Sequence, residues 1–112
     1  IPLIENNSKP KAVKANAKSF WQLLEYCTQN DLQAVILLTP VTQKHYQARN
    51  PIIVKKRDSI LARERKLYPG LSVYDSETLS LEYTQFNNHN HLNAQGARRY
   101  TQGVDAYLKN LD

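Results

Sequence analysis

The chain predicts an α/β fold, and we interpret it as a three-layer, flavodoxin-like fragment in which helices flank a parallel sheet. Helix-periodic segments alternate with two short apolar segments, as in folds that join parallel strands by crossover helices. The first apolar segment, residues 34–38, is continuously apolar, which favours a strand covered on both faces. Because two strands make a poor sheet, we expect residues 1–112 to be a single domain that is the C-terminal part of a larger one.

The first half of the chain predicts a long helix, a strand and a second helix. Over residues 13–27 apolar side chains recur every three or four positions, which indicates an amphipathic helix that ends near Asn30. The strand that follows ends at Thr39 and Pro40, because proline cannot extend a hydrogen-bond ladder. Pro51 then opens the second helix, since proline is tolerated in the first helical turn.

The second half predicts a turn at Pro69, a short strand over residues 71–74, a connector of undefined structure over residues 79–86 and a final helix. The final helix has an apolar stripe that consists of Ala97, Tyr100, Val104, Leu108 and Leu111. Gly96 and Gly103 should each weaken this helix by about 1 kcal/mol relative to alanine. A close approach of the helix backbone to the sheet or to a ligand would explain Gly96, whereas the sequence offers no reason for Gly103.

Composition narrows the classes of function. No apolar run approaches the roughly 20 residues that span a bilayer. A single cysteine, Cys27, excludes an internal disulfide and a cysteine-based zinc site. The net charge of +5 allows weak attraction to polyanions. The basic segment over residues 55–66 has no interleaved aromatic residues, so we prefer a solvated helix face and expect no nucleic-acid partner.

A polar loop before the last helix is the strongest candidate for a functional site. Residues 86–97 contain two histidines, four asparagines and one of only three glycines. Polar loops that run into an amphipathic helix often carry the reactive side chains of α/β proteins. We interpret His91 as the chemical centre and Asn93 as the N-cap of the last helix.

Other candidate residues follow from the expected topology. The carboxyl ends of strands border the functional crevice of open α/β sheets, so Thr39 and His45 become candidates for substrate binding. His89 joins them, because residues two apart on an extended stretch, such as His89 and His91, project to one face. The three histidines could together bind a transition metal, but no carboxylate or cysteine accompanies them in sequence, and we predict neither a metal nor a cofactor.

The segment His91-Leu92-Asn93-Ala94-Gln95-Gly96-Ala97 resembles the last signature block of SGNH hydrolases, and is most similar to their extracytoplasmic relatives of the D-alanine-transfer and alginate-acetylation type. In that superfamily the block reads Asp, two residues, His, then commonly Leu-Asn and Gly-Ala. The resemblance implies that His91 is the catalytic base and that Asn88 stands where the family has its Asp. It implies an esterase or acyltransferase that acts on an acyl ester of a cell-envelope glycan or polyol, outside the cytoplasm.

The chain departs from the family pattern in two ways. Asn88 cannot supply the negative charge with which an Asp stabilises the imidazolium. The family's Gly-Asp-Ser nucleophile block is missing, because no serine in the chain has a glycine beside it. The chain begins at Ile1 and has no methionine, so we expect a piece of a longer protein that carries the nucleophile, and any membrane anchor, upstream.

Two alternatives remain open beside this enzymatic hypothesis. The first is a catalytically inactive SGNH-like module that binds a glycan or a partner protein, which the Asn88 position favours. The second is a basic nucleic-acid-binding domain, which the net charge permits. For the enzyme we expect an acylated glycan or a small ester as the ligand, and self-association into a homo-oligomer is a further expectation.

Overall fold

The structure, a computed structural model, describes residues 10–77 and 81–111, with side chains from residue 13 onward. The helices are α1 (Pro10–Gln29), α2 (Gln43–Ala48), α3 (Pro51–Leu67) and α4 (Ala94–Lys109). The strands are β1 (Val35–Leu38), β2 (Ser72–Asp75), β3 (Phe86–Asn88) and β4 (His91–Leu92), and a 3-10 turn covers Tyr83–Gln85. This mixture of helices and strands in sequence confirms the predicted α/β class. Of the predicted connector over residues 79–86, residues 79 and 80 lie outside the described residues.

Strands β1 and β2 form a two-stranded sheet. The amide of Ser72 donates to the carbonyl of Ala34 at 3.2 Å, and the amide of Ser76 donates to the carbonyl of Leu38 at 3.0 Å. The register is therefore the same at both ends, so the two strands are parallel. The Ser76 hydroxyl also donates to the Leu38 carbonyl, at 2.6 Å, where β1 ends.

The described chain divides into two compact units. The first contains residues 10–36 and 48–72, and its buried apolar side chains include Leu24 and Leu71. Its helices α1 and α3 are joined by a hydrogen bond from the Tyr68 hydroxyl to the Glu25 carboxylate. Burial, followed by this carboxylate, raises the pKa of Tyr68 to about 12.

Helix α1 ends in a left-handed C-cap, although the residue at this position is not a glycine. Asp31 adopts the left-handed conformation, with φ of 55°. The amide of Leu32 then donates back to the carbonyl of Cys27 at 2.8 Å, and the amide of Asp31 donates to the carbonyl of Thr28 at 3.3 Å. These two bonds satisfy carbonyls that would otherwise be left open at the helix end.

The second unit contains residues 37–47, 73–77 and 81–111, and it includes all the predicted site residues. In this unit, Tyr74 of β2 stacks on Tyr107 of α4, with ring centroids 4.7 Å apart. A Cβ at Gly103 would lie 2.7 Å from the Tyr74 hydroxyl oxygen. The second glycine of α4, for which the sequence offers no reason, thus gives a tyrosine room to reach across the helix.

Within residues 10–77 and 81–111, no helix is long and apolar enough to cross a membrane.

Candidate functional site

The predicted catalytic pair lies on a β-hairpin. Strands β3 and β4 pair antiparallel, with Phe86 opposite Leu92 and Asn88 opposite His91. The pairing of Asn88 with His91 brings their side chains together, and His91 Nδ1 lies 2.7 Å from Asn88 Oδ1. Both side chains are exposed, so a substrate can approach the imidazole.

The hydrogen bonds around Asn88 determine which nitrogen of His91 carries the proton. Asn88 Oδ1 accepts a hydrogen bond from the backbone amide of Asn90 at 3.2 Å, so the group facing these partners is the oxygen. An amide oxygen only accepts, and its bond to His91 therefore requires a proton on Nδ1. In the neutral ring, Nε2 then has a free lone pair, which is the arrangement that a general base needs.

The expectation of an extended stretch from His89 to His91 is wrong, because residues 89 and 90 form the turn between β3 and β4. His89 instead stacks on His45 of α2, with ring centroids 4.8 Å apart and an interplanar angle of 19°. The loop therefore presents two separate imidazole groups, one held by Asn88 and one stacked on His45.

Thr42 links the hairpin turn to α2. Its amide donates to the carbonyl of His89 at 2.9 Å, and its hydroxyl accepts from the amide of His45 at 3.3 Å, in the geometry of an N-cap. Thr42 is buried, and so is Pro40, two positions before it. The segment after β1 thus meets the histidine loop, whereas Thr39 is exposed and lies outside these contacts.

Asn93 fixes the start of α4. Its Oδ1 accepts from the amide of Gly96 at 3.0 Å, which caps the helix, and its Nδ2 donates to the carbonyl of Thr84 at 2.6 Å. Gly96 packs on the backbone of the 3-10 turn, where a Cβ would lie 2.2 Å from the carbonyl oxygen of Gln85. A close backbone approach explains Gly96, but the partner is the 3-10 turn and not the sheet or a ligand that we expected.

Gln85 is a residue of this site that the sequence analysis missed. It is buried, and its Oε1 accepts from the amide of Glu82 at 3.0 Å and from Arg99 Nη1 at 3.3 Å. Its carbonyl accepts from the amide of Asn93 at 3.0 Å. The spacing of Glu82 and Gln85 is that of a capping box, in which the third residue bonds back to the first, and this spacing was the available signal.

The histidines do not form a metal site with other ligands. Among the described residues, no group of three or more His, Cys, Asp and Glu side chains is placed to hold a metal ion. His45 and His89 instead stack with nearly parallel rings. At His91 the site offers an imidazole that Asn88 orients.

Comparison of this chain with protein-family models, with curated proteins and with solved structures finds no match.

Proposed function

We propose that this chain is the C-terminal part of an SGNH-like esterase or acyltransferase and that His91 is its general base. The observation that carries this proposal is the 2.7 Å contact between His91 Nδ1 and Asn88 Oδ1 in an exposed loop. This contact leaves Nε2 as the proton acceptor. The resemblance of residues 91–97 to the family's last block points to the same histidine.

In the proposed reaction, a hydroxyl supplied from outside this chain attacks the carbonyl carbon of an acyl ester. Its proton passes to His91 Nε2 and then to the alcohol that leaves, while the acyl group stays on the nucleophile until water or an acceptor alcohol takes it. In a serine protease, replacing the orienting Asp with Asn costs about four orders of magnitude in rate, because the tautomer is wrong. Here Asn88 selects the useful tautomer, so we expect a smaller loss that reflects only the missing charge.

The remaining predicted residues belong to the same proposal. In this proposal Thr39, His45 and His89 contact the glycan or polyol ester. The proposal also includes an extracytoplasmic location, membrane association through an upstream segment and a homo-oligomer.

A three-layer, flavodoxin-like domain completes the proposal. The sheet of β1 and β2 has only two strands among the described residues, and Leu37 of β1 is 41% exposed. Two strands seldom form a stable sheet. Further strands from a larger domain would therefore cover apolar surface that this chain leaves open.

The test compares three variants of the protein that contains this chain, with an aryl acetate as substrate. His91→Ala should lower kcat by about 10²–10⁴-fold, the usual contribution of a general base. His89→Ala, a matched change on the same hairpin, should leave kcat nearly unchanged and alter KM. Asn88→Asp should raise kcat, because the carboxylate adds the missing charge. Equal rates for wild type and His91→Ala would refute the assignment.

The second candidate is a non-catalytic relative that binds an acylated glycan, and Asn88 is the observation that favours it. In that case neither the wild type nor Asn88→Asp would hydrolyse the aryl acetate above the rate of His91→Ala. Binding of an acetylated oligosaccharide would instead persist in His91→Ala and weaken in the His45→Ala and His89→Ala variants. Isothermal titration calorimetry with the acetylated and deacetylated oligosaccharide distinguishes these outcomes.

A further inference from the structure

The base of the histidine hairpin is closed by a single buried side chain and the backbone of the same residue. Gln85 immediately precedes β3, and Asn93 immediately follows β4. The bond from the Asn93 amide to the Gln85 carbonyl joins the two ends of the hairpin at 3.0 Å. All that lies between these two residues is the seven-residue hairpin that carries Asn88 and His91.

The side chain of Gln85 holds that carbonyl in position. Its Oε1 receives hydrogen bonds from the backbone before the hairpin, at Glu82, and from α4 behind it, at Arg99. The backbone of Gly96 lies against the Gln85 carbonyl, with no space for a methyl group between them. The bond from Arg99 therefore links the hairpin base to α4, and the bond from Glu82 links the same oxygen to the backbone before the hairpin.

We infer that Gln85 is a positioning residue that sets the orientation of the His91 imidazole; this inference rests on the proposed role of His91 as a base. Gln85 acts through the hairpin and does not touch the reacting atoms. Truncation of its side chain would leave the part-buried amide of Glu82 without this acceptor, and the hairpin base would shift to recover one. A displacement of about 1 Å in a catalytic group costs about 100-fold in rate.

Two substitutions at Gln85 distinguish the loss of the hydrogen-bond acceptor from a change in side-chain volume. Both partners of Oε1 are donors, a backbone amide and a guanidinium, so Gln85→Glu keeps both bonds. Gln85→Met has a similar length but no acceptor for either. Arg99→Met, at an exposed position, removes only one of the bonds and provides a milder variant if Gln85→Met fails to fold.

The first measurement is the tautomer of His91, obtained from long-range ¹H–¹⁵N correlations of its imidazole, with His91→Ala used for assignment. We expect the Nδ1-protonated form to dominate in the wild type and in Gln85→Glu, and both tautomers to be populated in Gln85→Met. Arg99→Met should shift the populations in the same direction by less. Unchanged populations in both methionine variants would overturn the inference.

The second measurement is the hydrolysis of an aryl acetate by the same variants. We expect Gln85→Met to lower kcat by about 10–100-fold with little change in KM, and Gln85→Glu to restore most of the rate. A loss of rate with an unchanged His91 tautomer would show a general structural role and would also overturn the inference. A wild type without esterase activity would contradict the proposed function, while the imidazole spectra would still decide the role of Gln85.

Discussion

Helices α3 and α4 both begin behind an asparagine, yet the two asparagines have different tasks. Asn50 Oδ1 accepts from the amide of Ile52 at 2.9 Å, and this bond caps α3. Asn93 Oδ1 also caps its helix, α4, by accepting from the amide of Gly96. In addition, Asn93 Nδ2 donates to the carbonyl of Thr84, and the backbone amide of Asn93 donates to the carbonyl of Gln85. Asn50 thus caps α3, whereas Asn93 caps α4 and also anchors the loop before it.

The third residue of each helix shows the same contrast. Ile53 occupies this position in α3, where a β-branched side chain fits. Gly96 occupies it in α4, where the Gln85 carbonyl leaves no room for a Cβ. The third position of α3 therefore accepts a large residue. The third position of α4 packs against the base of the histidine hairpin and requires glycine.

The largest effect should come from placing a side chain at this contact. Gly96→Ala puts a methyl group 2.2 Å from the Gln85 carbonyl oxygen, and a backbone atom cannot rotate away as a side chain can. We expect a loss of about 3 kcal/mol in the free energy of unfolding, because overpacking outweighs the better helix propensity of alanine. Urea unfolding followed by circular dichroism measures this loss.

Gly103→Ala is the matched control in the same helix. Its Cβ would meet the hydroxyl oxygen of Tyr74, the far end of a side chain, at 2.7 Å. Tyr74 can turn aside, and the gain of about 1 kcal/mol in helix propensity offsets the lost ring packing. We expect a change close to zero. Equal losses in the free energy of unfolding for Gly96→Ala and Gly103→Ala would mean that the contact of Gly96 with the Gln85 carbonyl contributes no more than the contact of Gly103 with Tyr74.

A smaller difference should separate the two caps. Asn50→Ala should cost about 1 kcal/mol, the usual value of an N-cap. Asn93→Ala should cost about 2 kcal/mol, because it also leaves the Thr84 carbonyl without the bond from Nδ2. The pair of variants, each measured by urea unfolding, isolates the contribution of the loop anchor.

A second readout separates the two caps more sharply than stability does. Asn93→Ala should alter the imidazole resonances of His91, since Asn93 follows β4 directly, while Asn50→Ala should leave them in place. If both variants left the His91 resonances unchanged, the cap of α4 would have no influence on the candidate base.

The elements of the fold were predictable because their signals are local. The apolar period of α1, the continuous run of β1 and Pro51 at the start of α3 each reflect a few neighbouring residues, and the structure has these elements within one or two positions. The stacking of His89 on His45 was not predictable in this way. Like the bond between the Thr42 amide and the His89 carbonyl, it joins residues far apart in the chain.

The candidate site divides along the same line. Asn93 could be assigned as a cap from its position before a helical stripe, whereas Asn88 was placed beside His91 only by the resemblance to the SGNH block. The spacing of Glu82 and Gln85 is a local signal for a capping box, but Gln85 is polar and nothing beside it in sequence indicates that it is buried. Its importance comes from Arg99, fourteen positions later, and from the space that Gly96 leaves for its carbonyl.

The smallest expected effect concerns the C-terminal end of α3, where a hydroxyl that can lose its proton makes the contact. The hydroxyl of Tyr68 donates to the Glu25 carboxylate, and burial together with this carboxylate raises the pKa of Tyr68 to about 12. The unfolded chain releases this proton near pH 10, its ordinary value. The contact therefore stabilises the fold fully below pH 10, and its contribution is lost as pH rises towards 12.

Tyr68→Phe tests this contact, because phenylalanine has no proton to lose. Between pH 10 and 12 the urea midpoint of the wild type should fall more steeply than that of Tyr68→Phe, since both proteins share the other six tyrosines. Tyr107→Phe, which removes a hydroxyl from the ring stack on α4, should follow the wild type. Parallel curves for wild type and Tyr68→Phe would mean that the α1–α3 contact does not titrate.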